Sequence, residues 1–424
     1  MNKLNYIFKS ELLRDLNSRG FLYQSTDCSF LDEVFSKDKK VTFYIGFDPT
    51  AKSLHLGHLA WIVLLNRLQK AGHKPIIIAG GATAKIGDPT WKDTERSLLE
   101  YETIAENTRR ITSKLHKYIN FDTGTNNAIL LNNDDWISQI NFMEFLRNFG
   151  RFFSVNKMLT MDSVSSRLER EQHLSFLEFS YSLLQAYDFL YLFKTYDCIL
   201  EIGGADQWSN IISGVDLIRR ATGKQTIGLT LPLLTTSFGK KMGKTENGSI
   251  WLDRDLTSPF DFWQYFRNID DKDVITLLKF FTTLPLEKVE EMQNWQGTAK
   301  INDAKIIIAD EITSFVHSQE DVEEIHSKID AIFINKDFYS SSISEINVGK
   351  GEYLDKVMLD NNQVKSLSDA RRLIKAGGIK INNERIEDIK YKLDSNCILS
   401  IGKKTVFKII VEEQLSTKQC SVFS

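Results

Sequence analysis

Across residues 41–234 short apolar runs alternate with stretches of helical periodicity, and this alternation limits the possible folds more than any other feature of the sequence. Residues 41–47, 75–79, 129–131, 198–202 and 229–234 read as strands, set off by Gly, Pro, Asn and Asp. Nearly continuous apolar strands separated by helices pair in parallel and are covered on both faces. The expected architecture is therefore α/β, a Rossmann-type doubly wound parallel sheet. Such sheets bind ligands beyond the carboxyl ends of their strands, so the residues following each run are the first candidates for a site. From about residue 259 strand signals give way to helical patterns, as at 273–281 and 304–317. Residues 336–350, with Ser340-Ser341-Ser342, are poor in large apolar side chains. A chain of 424 residues exceeds one ordinary core. The division expected is a catalytic domain over 1–255, a helical domain over 256–335, a linker or internal loop over 336–350, and a small α+β module over 351–424.

A net charge of −3 excludes nucleic-acid binding through a uniformly basic surface and leaves only regional basic patches. No apolar run is long enough to cross a bilayer. The cysteines, Cys28, Cys198, Cys397 and Cys420, are scattered and have no neighbouring histidines, as expected of reduced thiols in a cytoplasmic protein without a zinc site. Leu4, Ile7, Phe8, Leu12 and Leu16 make an amphipathic opening that Gly20 would stop, unlike a signal or transit peptide.

Tyr44-Ile45-Gly46-Phe47-Asp48-Pro49-Thr50 runs from strand into turn, and helical spacing follows from Leu54 through His55-Leu56-Gly57-His58 to Ala71. A junction of this kind aims free backbone N–H groups at an anion, most often phosphate. The two histidines share a helix face, with Gly57 leaving that face bare between them. The same spacing also suits a metal half-site or a surface pair. After the second strand come Gly80-Gly81-Ala82-Thr83 and Gly87-Asp88-Pro89, where Asp88 either meets a substrate amino group or makes an ordinary Asp-Pro turn. Tyr181, Gln185 and Asp188 lie on one face of a helix expected over 175–193, facing either a cleft or solvent. Asp206 in Gly203-Gly204-Ala205-Asp206-Gln207-Trp208 reads as a helix N-cap or a ribose acceptor. Arg219 and Arg220, with Lys224, bring positive charge to a helix end. Lys240, Lys241 and Lys244 make the loop 239–248 cationic, suited to close over a triphosphate or simply to be solvated. It is not a P-loop, which would need glycine where Phe238 stands. Over 367–378, with Ser368 as expected cap, Arg371, Arg372 and Lys375 give a basic helix before a strand at 379–382.

His55-Leu56-Gly57-His58 resembles the H-I-G-H signature of class I aminoacyl-tRNA synthetases, and Lys241-Met242-Gly243-Lys244-Thr245 resembles their K-M-S-K-S loop. The segments around Tyr44, Gly80 to Pro89, and Gly203 to Trp208 are similar to bacterial-type tyrosyl-tRNA synthetases, and the similarity runs through nearly the whole chain. The helix at 367–378 resembles the RNA-binding module named after ribosomal protein S-four.

The resemblance implies a homodimeric, cytoplasmic tyrosine–tRNA ligase with ATP, tyrosine and the tRNA for tyrosine as partners. Magnesium would come with the nucleotide and no metal would be held by the protein. Tyr44 and Asp188 would hold the phenolic hydroxyl, Asp88, Tyr181 and Gln185 the ammonium group, and Gln207 would lie near the carboxylate. Asp48, His55, Gly57, His58, Gly204, Asp206 and Lys244 would bind ATP, and Thr50, His55, His58, Lys241 and Lys244 would carry the catalysis. Arg219, Arg220, Arg371, Arg372 and Lys375 would meet tRNA. The sequence departs from the family at Glu201, commonly glutamine, at Ala205 and Ser209, and from the general class I loop at Gly243 and Thr245. Only Glu201 adds charge. Two rival readings remain. One is another adenylyl-transferring enzyme, such as a nucleotidyltransferase or tryptophanyl-tRNA synthetase, and the other is a non-catalytic RNA-binding derivative.

Overall fold

Six strands make the central sheet: β1 (Gln24–Ser25), β2 (Thr42–Phe47), β3 (Lys74–Ala79), β4 (Ile129–Asn132), β5 (Leu200–Gly204) and β6 (Ile227–Leu231). The computed structural model describes residues 4–37, 39–89, 98–245, 248–333, 345–361, 363–364, 366–382, 384–402 and 405–412. The strand order is β1-β6-β5-β2-β3-β4. β2 to β6 are parallel to their neighbours, while β1 closes one edge antiparallel to β6. The five long strands fall on the expected apolar runs with no end shifted by more than three residues. β6 stops at Leu231 because Pro232 has no N–H to give the ladder. The two-residue β1 was too short to be seen in the hydrophobic pattern.

From β2 the chain builds outward through β3 to β4, and then returns to add β5 and β6 on the other side of β2. The sheet therefore reverses direction between β2 and β5, and the crevice beyond their carboxyl ends is where this topology places a ligand. Four helices matter for that crevice. Leu56–Lys70 leads out of β2, Phe176–Phe179 and Tyr181–Tyr196 precede β5, and Trp208–Thr222 follows it. The single helix expected over 175–193 is broken at Ser180, and Tyr181 consequently opens the longer piece. The amphipathic opening is shorter than expected. Its helix is Glu11–Arg19, capped by Ser10 and ended by Gly20, and Ile7 lies outside it, 92% exposed.

Residues 1–321 form one contact unit and 322–424 a second. The helices Pro259–Arg267, Asp271–Phe281 and Ile301–Val316 thus pack with the sheet rather than apart from it. The Arg19 guanidinium ties the opening helix to them by donating to the carbonyls of Lys279, Thr282 and Leu284. In the second unit a five-stranded sheet, of Glu384–Ile386, Ile379–Ile381, Cys397–Ile401, Thr405–Glu412 and Glu345–Gly349 in that order, accompanies the helices Leu354–Asp360 and Leu367–Lys375. Residues 345–349, placed in a linker by their sequence, are instead a strand parallel to Thr405–Glu412. Residues 334–344, which hold the serine run, lie outside the described residues. The basic helix is capped by Ser366, whose hydroxyl accepts from the Asp369 N–H at 3.2 Å. Ser368, the expected cap, sits in its first turn.

Candidate active site

The turn Asp48-Pro49 ends β2 and delivers His55 as the N-cap of Leu56–Lys70. His55 Nδ1 accepts from the Gly57 N–H at 3.0 Å and His58 Nδ1 accepts from the His55 N–H at 3.1 Å. With both Nδ1 atoms accepting, each neutral imidazole carries its proton on Nε2, a tautomer inferred from these partners. Burial and the neighbouring His55 push His58 down to about 3, so it stays neutral at physiological pH. The ring centroids are 3.9 Å apart. Gly57 is required for this approach, since a Cβ there would lie 2.8 Å from His55 Cε1. The pair is therefore two neutral N–H donors at a helix start, suited to phosphate oxygens. Among the described residues no group of three or more His, Cys, Asp or Glu is placed to hold a metal ion.

The lysine loop is joined to this helix start by main chain. The Leu56 N–H donates to the Ile250 carbonyl and the Leu252 N–H to the Leu54 carbonyl, both at 2.9 Å. Ile250 in turn donates to the Gly243 carbonyl, and the Gly243 N–H donates to the Tyr265 hydroxyl at 3.0 Å. Gly243 has φ 81° and lies so close to the helix that a Cβ there would be 2.6 Å from Leu56 Cβ. That explains glycine at this point of the loop. Met242 is buried beneath it, and Lys241 is exposed. The Lys241 charge reaches Asp206, whose carboxyl is raised by burial and by Asp88 and lowered in part by that lysine. The Lys244 backbone pairs with Ser249, while its side chain lies outside the described residues.

The crevice beyond the ends of β2 and β5 gathers buried acids. Asp188 is 3% exposed, with Oδ1 accepting from Trp136 Nε1 at 2.8 Å and Oδ2 from Asn133 Nδ2 at 3.0 Å. Burial pushes its carboxyl up, and the two N–H donors pull it part of the way back. Tyr44 lies in the same core cluster as Trp136, and its buried hydroxyl has no hydrogen-bond partner. The Tyr181 hydroxyl donates to Asp48 Oδ2 at 2.8 Å, and Thr83 Oγ1 donates to Asp48 Oδ1 at 2.7 Å. Gln185 Nε2 donates to Glu201 Oε1 at 3.0 Å and Gln207 Nε2 to Asp88 Oδ2 at 2.6 Å. Asp206 is not a helix cap. The helix Trp208–Thr222 has Gln207 at its N-cap without a side-chain bond, and Asp206 Oδ1 is buried without a partner beside Gly204, the last residue of β5.

The structure thus gathers Tyr44, Asp48, Asp88, Tyr181, Gln185, Asp188, Gly204, Asp206 and Gln207 around the ends of β2 and β5. Thr50 is exposed on the turn after β2, its N–H donating to the Asp48 carbonyl at 2.8 Å. Arg219, Arg220 and Lys157 all pair with Asp216, leaving an excess of positive charge at that helix end. In the second unit Arg371 is tied to Asp355 and Arg372 to Asp369, while Lys375 is exposed. Asn133, Trp136 and Thr83, which fix Asp188 and Asp48, were missed from the sequence. The available signal was the pair Asn132-Asn133 at the carboxyl end of β4.

Residues 36–334 match the model of the class I tRNA synthetases for tryptophan and tyrosine, and residues 354–396 match the S4 domain. The chain is 44% identical over 415 residues to the tyrosine–tRNA ligase of Wolbachia pipientis subsp. Culex pipiens, covering 96% of this chain and 99% of that one. It is 47% identical over 420 residues to the corresponding ligase of Ehrlichia ruminantium (strain Gardel), covering 96% and 99%. Among solved structures it is similar to a C-terminally truncated mitochondrial tyrosyl-tRNA synthetase of Aspergillus nidulans, with TM-score 0.68, 29% identity, and coverage of 77% of this chain and 94% of that one.

Proposed function

The chain belongs to the class I tyrosyl-tRNA synthetases and is a tyrosine–tRNA ligase working through a tyrosyl-adenylate, and from that premise we propose which of its residues do the work. The observation that carries the assignment is the buried pair of Asp188 and Tyr44. Asp188, fixed by Trp136 and Asn133, and Tyr44, with an unpartnered hydroxyl, offer an acceptor and a hydroxyl to a phenol. Asp88, Tyr181 and Gln185 take the ammonium group, with Asp48 orienting Tyr181, and Gln207 faces the carboxylate. Asp206, with its unpartnered Oδ1, and Gly204 take the ribose. Asp48, Gly57, His55 and His58 line the nucleotide, which arrives with magnesium as a joint substrate.

The tyrosine carboxylate attacks the α-phosphorus of ATP, forming the mixed anhydride and expelling pyrophosphate. A ribose hydroxyl of the tRNA terminal adenosine then attacks the tyrosyl carbonyl and releases AMP. The carboxylate is ionised at neutral pH, so no protein nucleophile is required, and the site contributes alignment and charge stabilisation. Thr50, the two imidazole Nε2–H donors, Lys241 and Lys244 supply them at the phosphates. Pyrophosphate exchange run with each standard amino acid tests the pocket. Tyrosine alone should support it, and equal use of phenylalanine would overturn the roles of Tyr44 and Asp188.

The same reading makes 256–335 the anticodon-side part and 351–424 a tRNA contact through Arg371, Arg372 and Lys375, with Arg219 and Arg220 meeting the acceptor arm. It places the enzyme in the cytoplasm. Among the described residues no helix is long and apolar enough to cross a membrane. Phe142, Met143, Val155 and Phe176 are 59–69% exposed within one stretch of chain, and a second copy is the occupant that would cover them. Sedimentation at twice the chain mass, reduced by Phe142→Asp with Phe176→Asp, is the expected result.

A further inference from the structure

The phenol end of the crevice holds a second buried acid. Glu201 is opposite Tyr44 in the β2/β5 register, so both side chains leave the same face of the sheet. It is 2% exposed, and while Oε1 accepts from Gln185, Oε2 is buried with no partner. The elements around it bring Tyr44 from β2, Gln185, Asp188 and Phe189 from Tyr181–Tyr196, the Cys198 thiol ahead of β5, and Gly214 from Trp208–Thr222. None of these is a cation. Two buried carboxylates with no cation between them among the described residues cannot both stay ionised, and the pair therefore shares a proton at neutral pH.

Geometry decides which acid holds it. Both Asp188 oxygens already face N–H donors, from Trp136 and Asn133, which favours its ionised form. Glu201 Oε2 faces no N–H donor, and the polar group beside it is the Tyr44 hydroxyl, which has no other partner. A proton on Oε2, donated to the Tyr44 oxygen, pairs both atoms and leaves the Tyr44 proton available to the substrate. We infer that Glu201 works as a neutral carboxylic acid, donating from Oε2 to the Tyr44 hydroxyl and so aiming that hydroxyl's own proton at the substrate phenol. The phenol then donates to Asp188, giving one direction to the whole chain of hydrogen bonds. Glu201 is thus a positioning residue for tyrosine selection, and this rests on the roles proposed for Tyr44 and Asp188.

Ionisation of Glu201 reverses the chain, because Tyr44 then donates to the carboxylate and offers the phenol only its lone pairs. The binding form is the acid, present at low pH and lost as pH rises. With burial holding the Glu201 carboxyl above the usual carboxylate range, tyrosine affinity should fall about tenfold or more as the pH is raised from 6 to 8.5. The experiment is equilibrium binding of tyrosine, with its KM in pyrophosphate exchange, to the full chain across that range, for the natural protein, Glu201→Gln and Glu201→Ala. Glu201→Gln keeps a neutral donor and should bind tyrosine with little change across the range. Glu201→Ala should bind about tenfold more weakly even at pH 6, with the KM for ATP unaffected. A flat profile for the natural protein, an undiminished alkaline loss in Glu201→Gln, or full affinity of Glu201→Ala at pH 6 would each overturn the inference. Failure of the underlying pocket assignment looks different, as exchange with no preference for tyrosine at any pH.

Discussion

Replacing Gly243 by alanine tests the seam between the lysine loop and the histidine helix. The new Cβ would sit 2.6 Å from Leu56 Cβ, whereas carbon atoms rest about 3.5–4.0 Å apart. Leu56 is fully buried, and its Cβ is fixed to the backbone, so no rotamer change relieves the clash. The loop must retreat by roughly 1 Å. Alanine at φ 81° adds strain of about 1–3 kcal/mol, which also favours displacement. Retreat would stretch the bonds from Gly243 to Tyr265 and from Ile250 to Gly243, and would draw Lys241 and the following lysine away from the phosphates. A misplacement of about 1 Å among positioning groups costs up to about 100-fold in rate, so adenylate formation should fall roughly 10- to 100-fold. Tyrosine affinity should hold, because Asp188 is fixed by Asn133 and Trp136 and Tyr44 packs in the core cluster with Trp136, away from this loop. Single-turnover adenylate formation at saturating ATP and tyrosine measures the first quantity, and equilibrium binding of tyrosine the second. A rate within twofold of the natural protein, or an equal loss of tyrosine binding, would refute the reasoning.

Trp136→Phe deletes one of the two donors on Asp188 and should weaken tyrosine binding about 10-fold or more, read as a rise in tyrosine KM at unchanged ATP KM. His55→Ala and Lys241→Ala should each slow adenylate formation about 100- to 1,000-fold with little change in tyrosine affinity, as stopped-flow kinetics would show. Arg372→Ala combined with Lys375→Ala should lower the slope of log tRNA affinity against log salt by about 0.7–0.9 per lost phosphate contact, while tyrosine-dependent pyrophosphate exchange stays unchanged.

What could be read from the sequence followed from local periodicity. His55 and His58 share a face because they are three apart at a helix start, and Tyr181, Gln185 and Asp188 do so for the same reason, even though Ser180 breaks the helix before them. The parallel sheet was readable because its buried strands are apolar throughout. What holds the acids was not readable. Asp188 is fixed by Asn133 and Trp136, more than fifty residues away, and a long-range hydrogen bond leaves no period behind it. The cap at Ser366 rather than Ser368 reflects another limit, since two serines so close are equally good caps until packing chooses one. Residues 345–349 looked like linker because the alternation of Ile346 and Val348, which both reach the core, is too short to stand out beside the serine run.

The bonds that lash residues 250–252 to residues 54–56 run from peptide N–H to peptide carbonyl. Almost any amino acid supplies those groups, so the residues at 250 and 252 are free to drift over evolutionary time while the seam they form is inherited intact. Length is a different matter. One residue gained or lost between Gly243 and Leu252 would slide the ladder out of step and separate the lysines from the histidines, even if every motif letter were kept. Lineages descended from this chain should therefore vary here in spelling and stay constant in count.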